Sequence, residues 1–526
     1  MDRTPNALDT AATNAAVGHP RRWLILAILC VCLVLIVASV ASLNIAIPPI
    51  QAALGATQTE LQWIVDAYAL VFAGLLLPAG AIGDRYGRKW TLLGGLTIFG
   101  LASITASSAD SPTQLIALRA TMGVGAAFIM PSTLSLLTSV FPAHERPKAI
   151  AIWAGLAGAG GAIGVVSSGI LLESFWWGSV FFIVVPIVIF AALAVGFIVP
   201  NSRDPEGHPL DPVGSLFSVV GFGSLVFAII EGPSRGWGDA VVVGGFVAAV
   251  VSLACFVWWE LRTEHPMLDP RFFRIPRFRI GAVVVTTAFF AMFAMFFVSA
   301  QYFQFVKGYS PLKTGMATLP FPATMIIVAP RAVRIQRVLT VRGTIALGLA
   351  LITTGLTIFA LFLRADSSYV VPLLGFCFMA AGSGCATPSS TMSIMTSLPM
   401  NKAGVGSAVN DTTREVGGAL GIAVVGSVLA SVYRANFTAA DTFAEPARGV
   451  ARDNIGAATS IAKKQFATDP AALRTFLDHA GDAFTKGINL GLGIAAALCA
   501  VIAVVVLKVY PRDTQLGRQA EMPTGP

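Results

Sequence analysis

The chain has 526 residues, 55% of them hydrophobic and only 12% charged, against roughly a quarter charged in soluble domains. That balance excludes an ordinary soluble enzyme. The formal charge of +8 does not point to nucleic acid either, because the bases fall in short stretches between apolar runs and not on one face.

Residues 1–21 are polar and alanine-rich, and read as a disordered N-terminal segment. The apolar run that follows has no small-residue cleavage site leading into a soluble domain, so it reads as a span and not a signal peptide. Runs long enough to cross the hydrocarbon core as helices lie at 22–44, 61–82, 90–108, 113–136, 150–172 and 178–199. A polar break, 200–209, closes this first group of six. Two further runs, 212–231 and 240–260, form a hairpin, followed by a basic stretch with Arg262, Arg271, Arg274, Arg277 and Arg279. Six more runs come at 279–303, 313–333, 343–363, 370–395, 404–430 and 484–508. The expected fold is an all-α polytopic membrane protein with 14 transmembrane helices. Between the last two spans, residues 434–482 form the one long loop, polar and alanine-rich, with weak periodicity over 472–480 that predicts a short surface helix. The six cysteines, Cys30, Cys32, Cys255, Cys377, Cys385 and Cys499, all lie in apolar runs without metal-ligand spacing.

Charge tests this count. With the N-terminus inside, cytoplasmic segments hold 22 of the 35 Lys and Arg, while the short external loops hold only Arg235, Lys307, Lys313 and Arg364. Such an asymmetry favours fourteen spans with both ends, including the tail 509–526, in the cytoplasm.

Polar residues inside spans are costly, and each is a functional candidate. Asp66 lies about one turn into the second span, as a proton- or cation-coupling acid or as a structural acid bonded to a neighbouring span. Arg119 in LIALRATMGVGAA needs an acceptor: Asp66, backbone carbonyls or water. Asp411, Arg414 and Glu415 in NDTTREVGGALG form either a self-satisfied network, with Arg414 three residues from Asp411, or a protonatable group lining a cavity. Glu231, in EGPSRGW, reads as a loop anchor. The run GLAGAGGAIGVVSSG places Gly160 and Gly164 at small-xxx-small spacing, with Gly169 further on, for close helix packing. Phe293, Met295, Phe297 and Tyr302 in the ninth span, with Asn44, Trp63 and Tyr68, are candidate lining for an apolar substrate cavity, or else packing and lipid contacts. Between the second and third spans, Gly83, Asp84, Arg85, Gly87, Arg88 and Lys89 make a tight charged loop. It reads as a clamp that breaks on opening, or as topology anchoring alone. No GxxxxGK[ST] loop is present, which excludes a transport ATPase of that kind.

These stretches together resemble the major facilitator superfamily, in its fourteen-helix drug:proton antiporter branch (EmrB/QacA type). GAIGDRYGRK is similar to the superfamily's loop after the second helix, and LIALRATMGVGAA to its helix-four motif, with Arg119 at the arginine. The run through Gly164 and Gly169 is similar to the helix-five antiporter motif, and LQWIVDAY puts Asp66 on the branch's second-helix acid. YFQFVKGYSPLKTG and GSAVNDTTREVGGALGIAVVGS resemble branch-specific stretches. Two positions depart: Ser39 stands where the branch carries a first-helix acid, and Val165 where the antiporter motif has proline. The resemblance implies two six-helix bundles, 22–200 and 279–508, rocking about a central cavity, with the hairpin in a linker, 201–278, outside the exchange core. It implies no enzyme activity, no metal or other cofactor, a proton gradient as energy source, and a monomer in the bacterial plasma membrane. The implied activity is export of small hydrophobic or cationic compounds. The alternatives are a dedicated exporter of one endogenous metabolite, antibiotic or lipid, and a membrane protein without transport. An accessory partner in the periplasm is not readable.

The charge pattern makes one direct prediction. In a cysteine-free background, Gly449→Cys will react with an impermeant thiol reagent on intact cells. Labelling only after lysis would overturn the topology.

Overall fold

The computed structural model describes residues 19–142, 145–203, 211–264, 266, 268–398, 403–445 and 447–511, and all regular structure among them is helical. The N-terminal segment 1–18, most of the tail 509–526 and the polar break 204–210 lie outside the described residues. The first half contains α1 (Arg22–Leu54), α2 (Gln58–Tyr86), α3 (Arg88–Ala106), α4 (Pro112–Val140), α5 (Arg146–Ser174) and α6 (Ser179–Ile198). The hairpin is α7 (Pro212–Arg235) and α8 (Ala240–Glu260). The second half contains α9 (Pro276–Gln301), α10 (Pro311–Arg331), α11 (Ala332–Phe362), α12 (Val370–Thr396), α13 (Ala403–Asn436) and α14 (Pro470–Val509). Among the described residues, 13 helices are long and apolar enough to cross a membrane; α5 carries a shorter apolar stretch, Gly160–Ser174. Lipid offers no hydrogen bonds to bare backbone, so this all-helical architecture is what the composition demands.

The helix starts are written in the sequence. Thr57 and Glu60 form a reciprocal capping box at the head of α2, with Glu60 N–H donating to Thr57 Oγ1 at 3.2 Å and Thr57 N–H to Glu60 Oε2 at 2.8 Å. Four other helices open on a capping side chain followed by proline: Ser111–Pro112, Asp211–Pro212, Ser310–Pro311 and Asp469–Pro470. The cap accepts from orphan N–H groups, and proline, lacking one, fits the first turn.

The two halves repeat one packing scheme. In the first, α1 packs on α4, α5 and α6, α2 on α4, and α3 on α4 and α6. In the second, α9 packs on α12, α13 and α14, α10 on α12, and α11 on α12 and α14. The repeat extends to single glycines. Gly160 and Gly164 of α5 lie against Val34 and Ala38 of α1, and Gly417 and Gly421 of α13 against Thr286 and Phe290 of α9. At Gly164, Gly417 and Gly421 a Cβ would overlap the facing backbone carbonyl, so side-chain-free positions at a spacing of four set the approach of each pair. Gly169 instead faces Leu312 of α10, in the other half.

The halves meet along two seams, α2 against α13 and α5 against α10. The Gln62 amide donates to the carbonyls of Ile422 at 3.4 Å and Ala423 at 3.3 Å, and Gln304 to that of Ile45 at 2.9 Å. The hairpin is not set apart: α7 packs on both α2 and α13 and so covers one of the two seams. Trp63 Nε1–H donates to Glu231 at 3.1 Å, Glu231 pairs with Arg235 at 2.9 Å, and Ser427 donates to the Ile229 carbonyl at 2.8 Å.

Several boundaries differ from the sequence reading. The second-to-third loop is far shorter than 83–89, because α2 runs to Tyr86 and α3 begins at Arg88, leaving only Gly87 between them at φ 115°. Its Cβ would also crowd Asn201, so glycine is required twice over. In α11, Thr340 takes φ 65° and kinks the helix near the start of its candidate span, Arg334–Phe362. The weak periodicity over 472–480 is the start of α14, 40 residues long, and not a separate surface helix. What remains of the long loop is packed: its short helices Ala447–Asp453 and Ile455–Gln465 sit under an aromatic cluster of Tyr433, Phe437, Phe443, Phe466 and Phe476. Buried aromatics spaced irregularly along a polar segment give no period to read.

Gly164→Leu will force α1 and α5 apart and lower stability by about 1–3 kcal/mol, read as an earlier thermal unfolding of the purified protein. Gly161→Ala, where a Cβ meets nothing within 4 Å, is the silent control; equal unfolding temperatures for both variants would contradict the packing account.

Candidate functional site

Two of the buried polar residues of α2, Gln62 and Asp66, lie on the face it turns to α13. Gln62, Asp66, Ala69, Leu70 and Ala73 fall on one face of α2 by helical period, and both ends of that stripe touch α13 or its cleft. Asp66 is fully buried, and neither carboxylate oxygen has a hydrogen-bond partner among the described residues. An anion left without donor or counter-ion in such a place costs several kcal/mol. Taking up a proton removes that cost.

Behind α2 stands Arg119 of α4, also fully buried. Its partner is a backbone carbonyl: Nε–H donates to Ile64 O at 3.1 Å, and the guanidinium lies 4.4 Å from the Tyr68 ring centroid. No ion pair joins Arg119 to Asp66 among the described residues. A desolvated cation–π contact is worth about 2 kcal/mol, which goes part of the way to keeping a guanidinium there. The glycines after it bring the helices within reach: a Cβ at Gly123 would lie 2.6 Å from the Tyr68 carbonyl, and one at Gly125 would lie 2.7 Å from Phe99 N.

On α13, Asp411 and Arg414 pair at 3.8 Å, and the Arg414 guanidinium lies 5.3 Å from the Phe289 ring of α9. Glu415, one residue on, turns the other way. It lines a narrow cleft of about 10 Å³, room for about one water, with Thr412, Val416 and Ala419 of α13, Ala69, Leu70, Ala73 and Gly74 of α2, and Ser218, Val219, Phe222 and Val226 of α7. Of the three charged residues of NDTTREVGGALG, two therefore satisfy each other and the third has no ion pair among the described residues.

The charged turn is tied to its own half. Arg88 N–H donates to Ser202 O at 2.9 Å, and Lys89 Nζ to Gly196 O at 2.7 Å. Arg85 lies 5.5 Å from the Tyr86 ring centroid. Gly83 leaves room for Thr91 of α3. The side chain of Asp84 is outside the described set.

Of the expected cavity residues, Tyr68, Met295, Phe297 and Tyr302 are buried in helix packing, with the Tyr302 hydroxyl donating to Arg364 O at 2.7 Å. Asn44, Trp63 and Phe293 remain partly exposed; Asn44 bonds back to Val40 O, Trp63 reaches Glu231, and Phe293 packs over Gly418. Ser39, at the position where the resemblance implies an acid, is buried on α1. Gln62, Thr412 and the α7 wall were not among the candidates. Gln62 stands four residues before Asp66, and that spacing alone would have placed both on one face. Nothing in the α7 sequence announces that it meets both halves. Among the described residues no cluster of His, Cys, Asp or Glu is arranged to hold a metal ion, and the six cysteines are free thiols.

The model of the Major Facilitator Superfamily matches residues 29–422. The multidrug efflux pump LfrA of Mycolicibacterium smegmatis is 34% identical over 494 residues, covering 94% of this chain and 97% of that protein. The methyl viologen resistance protein SmvA of Salmonella typhimurium is 31% identical over 500 residues, covering 92% and 97%. Among solved structures, a bacterial homologue of the human lysosomal transporter Spinster, inward-facing and occupied, superposes with a TM-score of 0.62 at 15% identity, over 93% of this chain and 98% of that one. At that identity the likeness bears on the fold alone. With a repeated six-helix packing scheme, two seams between halves and a family match over most of its length, this chain is a multi-pass membrane transport protein of the major facilitator superfamily.

Proposed function

We propose that this protein is a proton-coupled antiporter that exports small, largely hydrophobic or cationic compounds across a bacterial plasma membrane. The observation that carries the reading is Asp66, fully buried at the seam between the two halves with no partner for either oxygen among the described residues. A group in that place changes its surroundings when the halves rock. With the seam shut it is dry and holds a proton; with the seam parted, water reaches it and the proton leaves. Export is coupled because only one of the two protonation states suits each arrangement. Arg119, held on the Ile64 carbonyl one helix behind, tunes that exchange without neutralising the acid. The efflux and resistance proteins similar over nearly the whole chain support the same reading.

In this account α5 is the fourteenth span, as in the EmrB/QacA branch, since its 29 residues reach about 44 Å at 1.5 Å per residue. The charge asymmetry then puts both termini in the cytoplasm and the packed segment between α13 and α14 outside. The hydrogen bonds of Gln62, Gln304 and Asn454 across the halves lie at that outer end, which makes the described state one closed to the outside. The charged turn Gly83–Lys89 is the inner counterpart: held by its own half in this state, it clamps the other half once the transporter turns outward.

Asp66→Asn carries the neutral form permanently. In proteoliposomes with an imposed pH gradient it will fold and bind substrate, but accumulation will fall to passive equilibration and proton release will stop. Normal uphill accumulation by this variant would make Asp66 structural and move the coupling to Asp411 or Glu415. Asp84→Ala or Arg88→Ala will each slow export by roughly fivefold, the effect of about 1 kcal/mol on the balance between states, at unchanged protein level; wild-type rates would dismiss the clamp.

A further inference from the structure

We propose that the groove between α11 and α14, on the flank of the second half, binds one anionic glycerophospholipid of the surrounding bilayer, with its phosphate on Lys486 and an acyl chain laid along α14. Only the chain's place in a membrane is needed for this; export is not.

The groove is a product of small side chains. Ala360 and Leu361, at the end of α11, line it with Leu490, Gly493, Ile494 and Ala497 of α14, around a volume of about 510 Å³. That is ample for a small amphiphile. The two helices pack on one another, and a Cβ at Gly493 would lie 3.7 Å from that of Ala360. They therefore meet across a glycine and an alanine, which keeps the floor low. The larger side chains stand higher: Leu361, Leu490 and Ile494 are exposed. Exposed apolar surface on helices that cross a membrane is surface offered to lipid.

One end of the groove is cationic. Lys486 lines it too, on the same stripe of α14 as Leu490, Gly493 and Ala497 by helical period. It stands at the start of the apolar run 484–508, from where a lysine reaches the headgroup level. Asn489 donates to the Leu363 carbonyl at 3.1 Å and so ties the end of α11 to α14. The tie brings Arg364, the next residue, to the same end. Among the described residues neither Lys486 nor Arg364 takes part in an ion pair, so both charges remain available to a phosphate. The eleven residues from Lys486 to Ala497 rise about 16 Å, roughly half the 30 Å of a hydrocarbon core. A furrow one leaflet deep, apolar along its length and basic at its headgroup end, has the dimensions and the charge of a single anionic lipid.

The test titrates the purified full chain in detergent with dioleoyl phosphatidylglycerol, and separately with dioleoyl phosphatidylcholine, which has the same chains and no net charge. Bound lipid is counted by native mass spectrometry. The wild type will take up one phosphatidylglycerol ahead of any other lipid. Lys486→Gln will weaken that first binding by roughly fivefold, the attraction of one lysine for an anionic lipid, and leave phosphatidylcholine within about twofold. Lys486→Arg will keep it. Ala497→Phe, which fills the furrow without touching a charge, will weaken it as well. Both replaced side chains are exposed, and unchanged thermal unfolding without lipid will show that the variants are folded. An excess of sn-glycerol 3-phosphate will not displace the lipid. Equal affinity of the wild type for the two lipids overturns the site, and so does wild-type phosphatidylglycerol binding by either Lys486→Gln or Ala497→Phe. Displacement by glycerol 3-phosphate overturns the lipid as occupant in favour of a free phosphate. A dimer in lipid-free detergent that Ala497→Phe splits overturns it in favour of a second copy of the chain.

Discussion

A carboxylic acid without a partner, at the place where two bodies meet, is the constraint around which the protein is arranged. Asp66 has no donor and no counter-ion among the described residues, although an arginine stands on the neighbouring helix. A structural acid in hydrocarbon ordinarily finds a partner, since the alternative costs several kcal/mol. Here the guanidinium is drawn instead to the Ile64 carbonyl and the Tyr68 ring, and in the proposed function that keeps the acid available to exchange a proton. The same helix face carries Gln62, whose amide reaches across to α13. Closing the seam and drying the acid are therefore one movement.

The bodies that move are rigid for a reason visible in their glycines. Within each half, α1 against α5 and α9 against α13 approach until backbone meets backbone, at glycines four residues apart in both cases. Interiors packed that closely have few intermediate arrangements, so each half behaves as a block. Between the halves the contacts are sparser: amides on carbonyls, Gly169 against Leu312, and the packed segment between α13 and α14, whose Asn454 donates to Ala56 of the first half. Strong packing inside and light polar contacts across are what rocking about a seam requires.

Much of this was legible beforehand. Hydropathy placed the spans to within a few residues in most cases, because a length of some 20 apolar residues is dictated by the bilayer. Gly160 and Gly164 declared their close packing through their spacing. Asp66 and Arg119 stood out as charges in hydrocarbon, yet their non-pairing was not readable, since it depends on whether a side chain on α4 points at a backbone carbonyl or a carboxylate on α2. Arg414 could be matched with Asp411 by spacing; that Glu415 turns toward α7 depends on which helices flank α13. The resemblance implies a hairpin outside the exchange core, and the scattered serines and Glu231 of α7 hold no sign of where it docks. The segment between α13 and α14 reads as a loop because its aromatics follow no period.

The claim that the acid and the seam move together is tested most directly by a distance. Spin labels at Thr59 near the start of α2 and Ser431 near the end of α13 report whether the seam is shut. In reconstituted protein the account predicts two distance populations whose ratio shifts with pH in the wild type, and one that is fixed with respect to pH in Asp66→Asn. A wild-type distribution indifferent to pH, or an Asn variant that shifts with pH as the wild type does, would contradict it.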